Sequence, residues 1–302
     1  MTGRIFSPGK LLLTAEYTVL DGALALAVPT KWGQEFFFEE IEDGESLVSW
    51  EAFHQDKLWL QAKINYTGWE ITQTNLPEPA QFILKVLQNV AQLSSLKFKG
   101  ITSYRLKTNL QFPPDYGLGS SSTLINNLAE WAAIDAFTLN EMSLGGSGYD
   151  IAVAKEKSAI VFQNTAGRKI SEPVNFSPPF LDELIFIHLN QKQNSREGIE
   201  LYRSKNVSAD VIDWFSEFTQ KVILCKDVEQ FSGLMASHEQ KLSNYLLIKT
   251  AKEKHFPGCP VFVKSLGAWG GDFVMSRKFP NYESYFSELG FTHIYTWKEL
   301  IL

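Results

Sequence analysis

Pro113-Pro114-Asp115-Tyr116-Gly117-Leu118-Gly119-Ser120-Ser121-Ser122 runs straight into TLINNLAEWAAIDAF, residues 123–137. Within that second stretch Leu124, Leu128, Trp131 and Ala132 recur at helical spacing and form one apolar stripe, so the segment predicts an amphipathic helix opened by serines. A helix start preceded by glycines presents several N–H donors and the positive end of the helix dipole together. That suits a di- or triphosphate without any excess of basic residues, and the serine hydroxyls add ligands for a magnesium ion or a phosphate oxygen. An ordinary serine N-cap is the simpler alternative, although it needs neither three serines nor Gly-Leu-Gly. No GxxxxGK[ST] string and no GxGxxG dinucleotide fingerprint occurs in the chain.

Two more glycine turns lie further on: GGSGYD at 145–150, leading into IAVAKEK, and GAWGGD at 267–272, between VFVKSLG and DFVMS. Around them the first third reads as strands, KLLLTAEYTVL (10–20), QEFFFEEIE (34–42) and LWLQAKINYT (58–67), with antiparallel pairing expected. After Pro77 and Pro79, residues Phe82, Ile83, Val86, Leu87 and Val90 keep helical spacing, and YRLKTNL (104–110) alternates as a strand. AIVFQN (159–164) is strand-like, and Ser177-Pro178-Pro179 marks a boundary, which places a domain junction near residue 175. Beyond it come a strand at LIFIHLN (184–190), a largely helical stretch from about 196 to 250, and a late strand in FTHIYTW (291–297). This order predicts an α+β half with helices on one face of an antiparallel sheet.

The chain has 302 residues, 34 acidic against 28 basic side chains and a formal charge of −6. That balance argues against a nucleic-acid binder or a protein held to an anionic membrane by bulk charge, so any phosphate must be gripped locally. Cys225 and Cys259 alone cannot build a disulfide scaffold or a four-thiolate zinc site, and the five histidines show no metal-ligand spacing. No secretory leader and no apolar run of roughly 18 residues is visible. A soluble cytoplasmic protein, monomer or homodimer, with a small-molecule partner is the expectation.

PGKLLLTAEYTVLDG (8–22), PPDYGLGSSS and GAWGGD resemble, in order, the three motifs of the GHMP kinases, a superfamily that includes galactokinase, homoserine kinase, mevalonate kinase and phosphomevalonate kinase. The string Gly148-Tyr149-Asp150-Ile151-Ala152 resembles the signature of the GYDIA subfamily. The resemblance spans nearly the whole chain. It implies a two-domain α+β fold, with an N-terminal domain (1–175) like domain 2 of ribosomal protein S5 and a ferredoxin-like C-terminal domain (176–302). It also implies ATP and Mg2+ as cofactors. The middle motif would wrap the ATP phosphates through Gly117, Leu118, Gly119, Ser120, Ser121 and Ser122, with Ser121 as a magnesium ligand, while Gly267, Gly270 and Gly271 of the third motif would pack on that loop. Asp150 matches the aspartate that takes the acceptor's proton, and Lys10 the lysine placed beside it. Glu16, Tyr17, Ser147, Gly148, Ser195 and Arg196 are the implied substrate contacts.

The residues by themselves allow blander roles: Asp150 as an N-cap, Lys10 as a solvated lysine, Glu16 on a half-buried strand facing water. Two departures from the family pattern stand out. Trp269 replaces a glycine of the third motif, and the stretch from Ser122 to Asp150 is too short to place the glutamate that completes the magnesium site; Glu130, Asp135 and Glu141 are the nearby carboxylates. PGKLLLTAEY favours mevalonate or phosphomevalonate as acceptor, with mevalonate ahead. The rival from another class is a non-catalytic nucleotide-binding regulator on the same scaffold.

Overall fold

In the computed structural model, which describes residues 1–165, 168–191, 195–267 and 272–302, the chain forms two compact units. One comprises Met1–Gly9, Trp32–Pro114 and Gly119–Lys157; the other comprises Lys10–Lys31, Asp115–Leu118 and Ser158–Leu302. The packing therefore does not divide at one junction near residue 175. Residues 10–31 and the hairpin at 160–173 belong with the C-terminal half, where Ala25–Ala27 pair with Ile160–Phe162.

The first unit takes its elements from β1 (Thr2–Leu12), β2 (Ala25–Ile41), β3 (Leu47–His54), β4 (Lys57–Asn65), β5 (Glu70–Thr74), α1 (Pro77–Leu93), β6 (Ser103–Leu110), α2 (Ser120–Ala132), α3 (Ala136–Ser143) and α4 (Tyr149–Glu156). Its strands follow the order β5-β4-β3-β6-β2. Pairing is antiparallel except between β3 and β6, which run parallel because the chain returns through β4, β5 and helix α1 before entering β6. Strand β3 was missed by the sequence reading, although Val48, Trp50 and Ala52 alternate inward there. Helix α1 starts on prolines whose missing N–H costs nothing in a first turn, and it buries Ala80, Ile83, Leu84, Leu87 and Val90. These meet Phe36, Trp50, Leu60 and Ile64 of the sheet and Ile125, Leu128 and Trp131 of α2 in one core. Each large apolar side chain so enclosed contributes about 1.5–3 kcal/mol.

The second unit contains β7 (Ile160–Thr165), β8 (Arg168–Pro173), β9 (Leu184–His188), α5 (Ser195–Arg203), α6 (Ala209–Leu224), α7 (Val228–Leu246), α8 (Ala251–His255), β10 (Val263–Leu266), β11 (Phe273–Arg277), α9 (Tyr282–Glu288), β12 (Ile294–Thr296) and α10 (Trp297–Leu300). The order β10-β11-β9-β12, antiparallel throughout, with helices between β9 and β10 and again between β11 and β12, is the expected ferredoxin-like arrangement. Both cysteines are buried and free. No helix among the described residues is long and apolar enough to cross a membrane.

The predicted strand over 10–20 ends at Leu12. Ala15 and Tyr17 adopt left-handed backbone (φ 64° and 62°), and Thr18–Asp21 form a 3₁₀ turn. A tertiary bond holds this departure: the Ala15 N–H donates to Nε2 of His238 at 3.0 Å.

Candidate active site

Gly117 and Gly119 both lie in the left-handed region (φ 65° and 86°), which explains their placement in the turn. Gly117 is required for a second reason. A Cβ there would stand 1.9 Å from Oδ2 of Asp272, a side chain that is itself buried. Lys10 secures the same turn from another direction: its backbone N–H donates to the Leu118 carbonyl at 3.0 Å and its Nζ to the Gly117 carbonyl at 3.1 Å. Lys10 is thus half-buried and engaged with the glycine turn, which excludes the blander role of a freely solvated strand lysine.

Helix α2 begins on Gly119, which has no side chain to cap the helix, and no acidic residue stands in its first turn. Ser121 is exposed and Ser120 and Ser122 are half-buried. The inner face is pinned by polar groups instead. Asn126 donates to Ser7 Oγ at 2.9 Å, Ser7 Oγ donates to Asn127 Oδ1 at 2.7 Å, and Asn127 donates to the Gln34 carbonyl at 3.0 Å, all of them buried. A buried network satisfied in this way fixes the helix rigidly on β1 and β2. Its N-terminus therefore has a defined direction, with first-turn amides that no side chain among the described residues caps.

Asp150 occupies the second position of α4. The N-cap is Gly148 (φ 92°), so Asp150 is not the cap, and its half-buried carboxyl stands in a first turn where the helix dipole favours negative charge. Gly145 and Gly146 also have positive φ, and Asn140 clasps this turn, donating from Nδ2 to the Gly145 carbonyl at 2.9 Å and accepting the Gly145 N–H on its own carbonyl at 2.8 Å. Ser147 and Tyr149 are buried, Ile151 enters the core, and α4 packs against α2. The glycine-serine helix and the aspartate helix are neighbours in one unit.

The carboxylates near α2 have other occupations. Asp135 caps α3, accepting from the Thr138 N–H at 2.7 Å, and the exposed Glu130 lies 3.7 Å from Lys157 Nζ. Glu141 is exposed. Among the described residues no group of three or more His, Cys, Asp or Glu side chains is placed to hold a metal ion.

Glu16 does not face water. It is 1% exposed; Lys264 Nζ donates to its Oε1, and its Oε2 lies 3.2 Å from His238 Nε2. Tyr17 is buried, with its ring stacked on Tyr202 at 5.8 Å and its hydroxyl crowding Gly198 of α5, where a Cβ would lie 2.2 Å away. Tyr17 is thereby placed beside the helix that begins at Ser195 and Arg196. Gly267 has positive φ (72°) and, among the described residues, no atom within 4 Å of its missing Cβ, so conformation rather than crowding accounts for this glycine. Gly270, Gly271 and Trp269 fall outside the described residues, as do Lys192, Gln193 and Asn194. The sequence reading overlooked Asp272, Lys264, His238 and Glu239. Only Asp272 carried a local signal, as the charged residue that closes a glycine turn.

No protein-family model and no curated protein sequence matches this chain. Solved structures do. The mevalonate kinase of Methanococcus jannaschii superposes with a TM-score of 0.68 at 16% identity, over 98% of this chain and 97% of that one. The phosphomevalonate kinase of Streptococcus pneumoniae, in complex with phosphomevalonate and AMPPNP, gives 0.70 at 14%, over 97% and 99%. The galactokinase of Lactococcus lactis, complexed with galactose, gives 0.69 at 13%, over 98% and 92%. The chain has the GHMP kinase fold, as its motifs imply.

Proposed function

We propose that this protein is an ATP- and Mg2+-dependent kinase of the GHMP superfamily that phosphorylates a small molecule, mevalonate first and phosphomevalonate as the alternative. One observation carries the reading: on this fold, a glycine-serine turn opens into a helix whose first-turn amides lack a side-chain cap among the described residues, with the Asp150 helix packed against it. ATP would supply the phosphoryl group. The amides of Ser120, Ser121 and Ser122 would hold its phosphate oxygens, and the exposed Ser121 hydroxyl would face a magnesium ion that keeps most of its water. These residues fit the group, because the turn offers N–H donors and no acidic residue stands in the first turn of α2; the nearby buried carboxyl of Asp272 lies against Gly117.

Asp150 is assigned to receive the acceptor's proton. Lys10, anchored on the Gly117 carbonyl, is assigned to offset negative charge at the turn. Tyr17 and the start of α5, with Ser195 and Arg196, are assigned to the acceptor, as are Ser147 and Gly148. Glu16 is left out of that set, since its carboxyl is enclosed by Lys264 and His238.

ADP release measured with mevalonate, phosphomevalonate, homoserine and simple sugars tests this. One acceptor should turn over, and Asp150→Asn should slow it by roughly 10²–10⁴-fold while nucleotide affinity is kept. Equal rates for the two proteins would remove Asp150 from the chemistry. Nucleotide binding without turnover of any acceptor would favour a regulator.

A further inference from the structure

Four titratable side chains from three elements of the second unit meet in its interior: Glu16 after β1, His238 and Glu239 on α7, and Lys264 on β10, each 2% exposed or less. Lys264 donates to Glu16 Oε1 and to the Ser265 carbonyl at 2.8 Å. Glu239 accepts from the Ala251 N–H at 3.0 Å, the Ser265 N–H at 3.0 Å and the Ser265 hydroxyl at 3.2 Å. The rings of Phe215 and Phe218, edge-on to His238 at 4.9 and 5.1 Å, close the remaining side with apolar surface.

At face value Glu16 and Lys264 form a buried ion pair, but the other oxygen of Glu16 contradicts that. His238 Nε2 already accepts the Ala15 N–H, so this nitrogen carries a lone pair and no proton. Glu16 Oε2 lies 3.2 Å from that nitrogen and, among the described residues, has no donor of its own. Two buried acceptors at this distance repel unless one of them carries a proton, and a proton on Nε2 would clash with the Ala15 N–H. It must therefore sit on Oε2. Glu239 is the opposite case, since its oxygens meet only donors, which favours the ionised form.

We propose that the native protein keeps Glu16 protonated, with the proton on the oxygen that stands beside His238, and that Glu239 carries the charge balancing Lys264. The cluster is then neutral as a whole, as its burial demands. Burial pushes the Glu16 carboxyl up against the opposing pull of Lys264. Burial and the Lys264 charge together hold His238 well below the usual imidazole range. The lock ties residues 15–17 to the Ser265 backbone, two residues before Gly267, through one exchangeable proton. This assignment does not depend on the activity proposed above.

Glu16→Gln tests it, because a glutamine presents its carbonyl to Lys264 and an N–H where the protonated oxygen stands. E16Q should fold and, at neutral pH, match or exceed the wild type in stability. Because the folded protein holds the Glu16 proton more tightly than the unfolded chain does, its stabilising effect is complete below glutamate's ordinary pKa of about 4.3 and is lost as pH rises to the folded value. The unfolding constant of wild type relative to E16Q should therefore climb by up to about tenfold per pH unit across that window. Glu239→Gln, which strips Lys264 of its counter-charge, should be the more damaging change. In wild type in mildly alkaline buffer, infrared spectra with labelled glutamate should show a protonated carboxyl that E16Q lacks. An E16Q protein that fails to fold, is at least tenfold less stable at neutral pH, or leaves the infrared band unchanged overturns the proposal.

Discussion

Replacing Gly117 by alanine strikes the turn at its tightest point. The new Cβ would lie 1.9 Å from Oδ2, 2.1 Å from Cγ and 2.8 Å from Cβ of Asp272, at a backbone φ of +65°. Asp272 cannot easily retreat: its N–H donates to the Gln191 carbonyl at 3.2 Å and its carbonyl accepts the Leu189 N–H at 2.8 Å. Left-handed backbone costs an alanine about 1–2 kcal/mol, and the forced repacking about 1–3 kcal/mol more. The turn escapes by leaving its native shape, so the cost of roughly 2–5 kcal/mol falls on the fraction competent to bind. Affinity for AMPPNP, measured by calorimetry, should fall roughly 30- to 5,000-fold, at 1.36 kcal/mol per tenfold. Adding Asp272→Gly removes all three contacts and leaves only the backbone term, a deficit of about 5- to 30-fold. AMPPNP binding by G117A within threefold of wild type would refute the reasoning, as would a double variant no better than G117A.

Gly198→Ala sets a Cβ 2.2 Å from the Tyr17 hydroxyl and 2.9 Å from its ring carbon; thermal unfolding should show a loss of about 1–3 kcal/mol, partly regained with Tyr17→Phe. The box at the start of α8, where the Glu253 N–H donates to Thr250 Oγ1 at 3.1 Å and the Thr250 N–H donates to Glu253 Oε2 at 2.9 Å, predicts that Thr250→Ala costs about 0.5–2 kcal/mol in denaturant unfolding.

Helix α2 was legible because its signals are local: two glycines, three serines and an apolar stripe lie within a few turns of one another. Helices on one face of an antiparallel sheet in the second half followed from the element order for the same reason, while its ferredoxin-like form was implied by the resemblance. Glu16 was not legible, since the Lys264 that claims it lies 248 positions away, and nothing near Glu16 distinguishes a buried acid from one facing water. The left-handed residues Ala15 and Tyr17 sit in a β-prone string that local propensity reads as strand, and the bond from Ala15 to His238 overrides that propensity. Capping roles went both ways. Asp135, considered as a carboxylate near the magnesium site, is the cap of α3, whereas Gly148 takes the place that Asp150 alone would have been given.

The start of α2 constrains anyone engineering this protein. Exchanging Gly119 for a capping side chain would offer its first-turn amides an acceptor, but at φ 86° the left-handed backbone costs a non-glycine residue about 1–2 kcal/mol, more than the few tenths by which such a cap outdoes glycine. The same oxygen would also compete with an incoming anion for the same donors. Such a change should lower thermostability and nucleotide affinity together, so stabilising variants are better sought on the outer faces of α1 and α6.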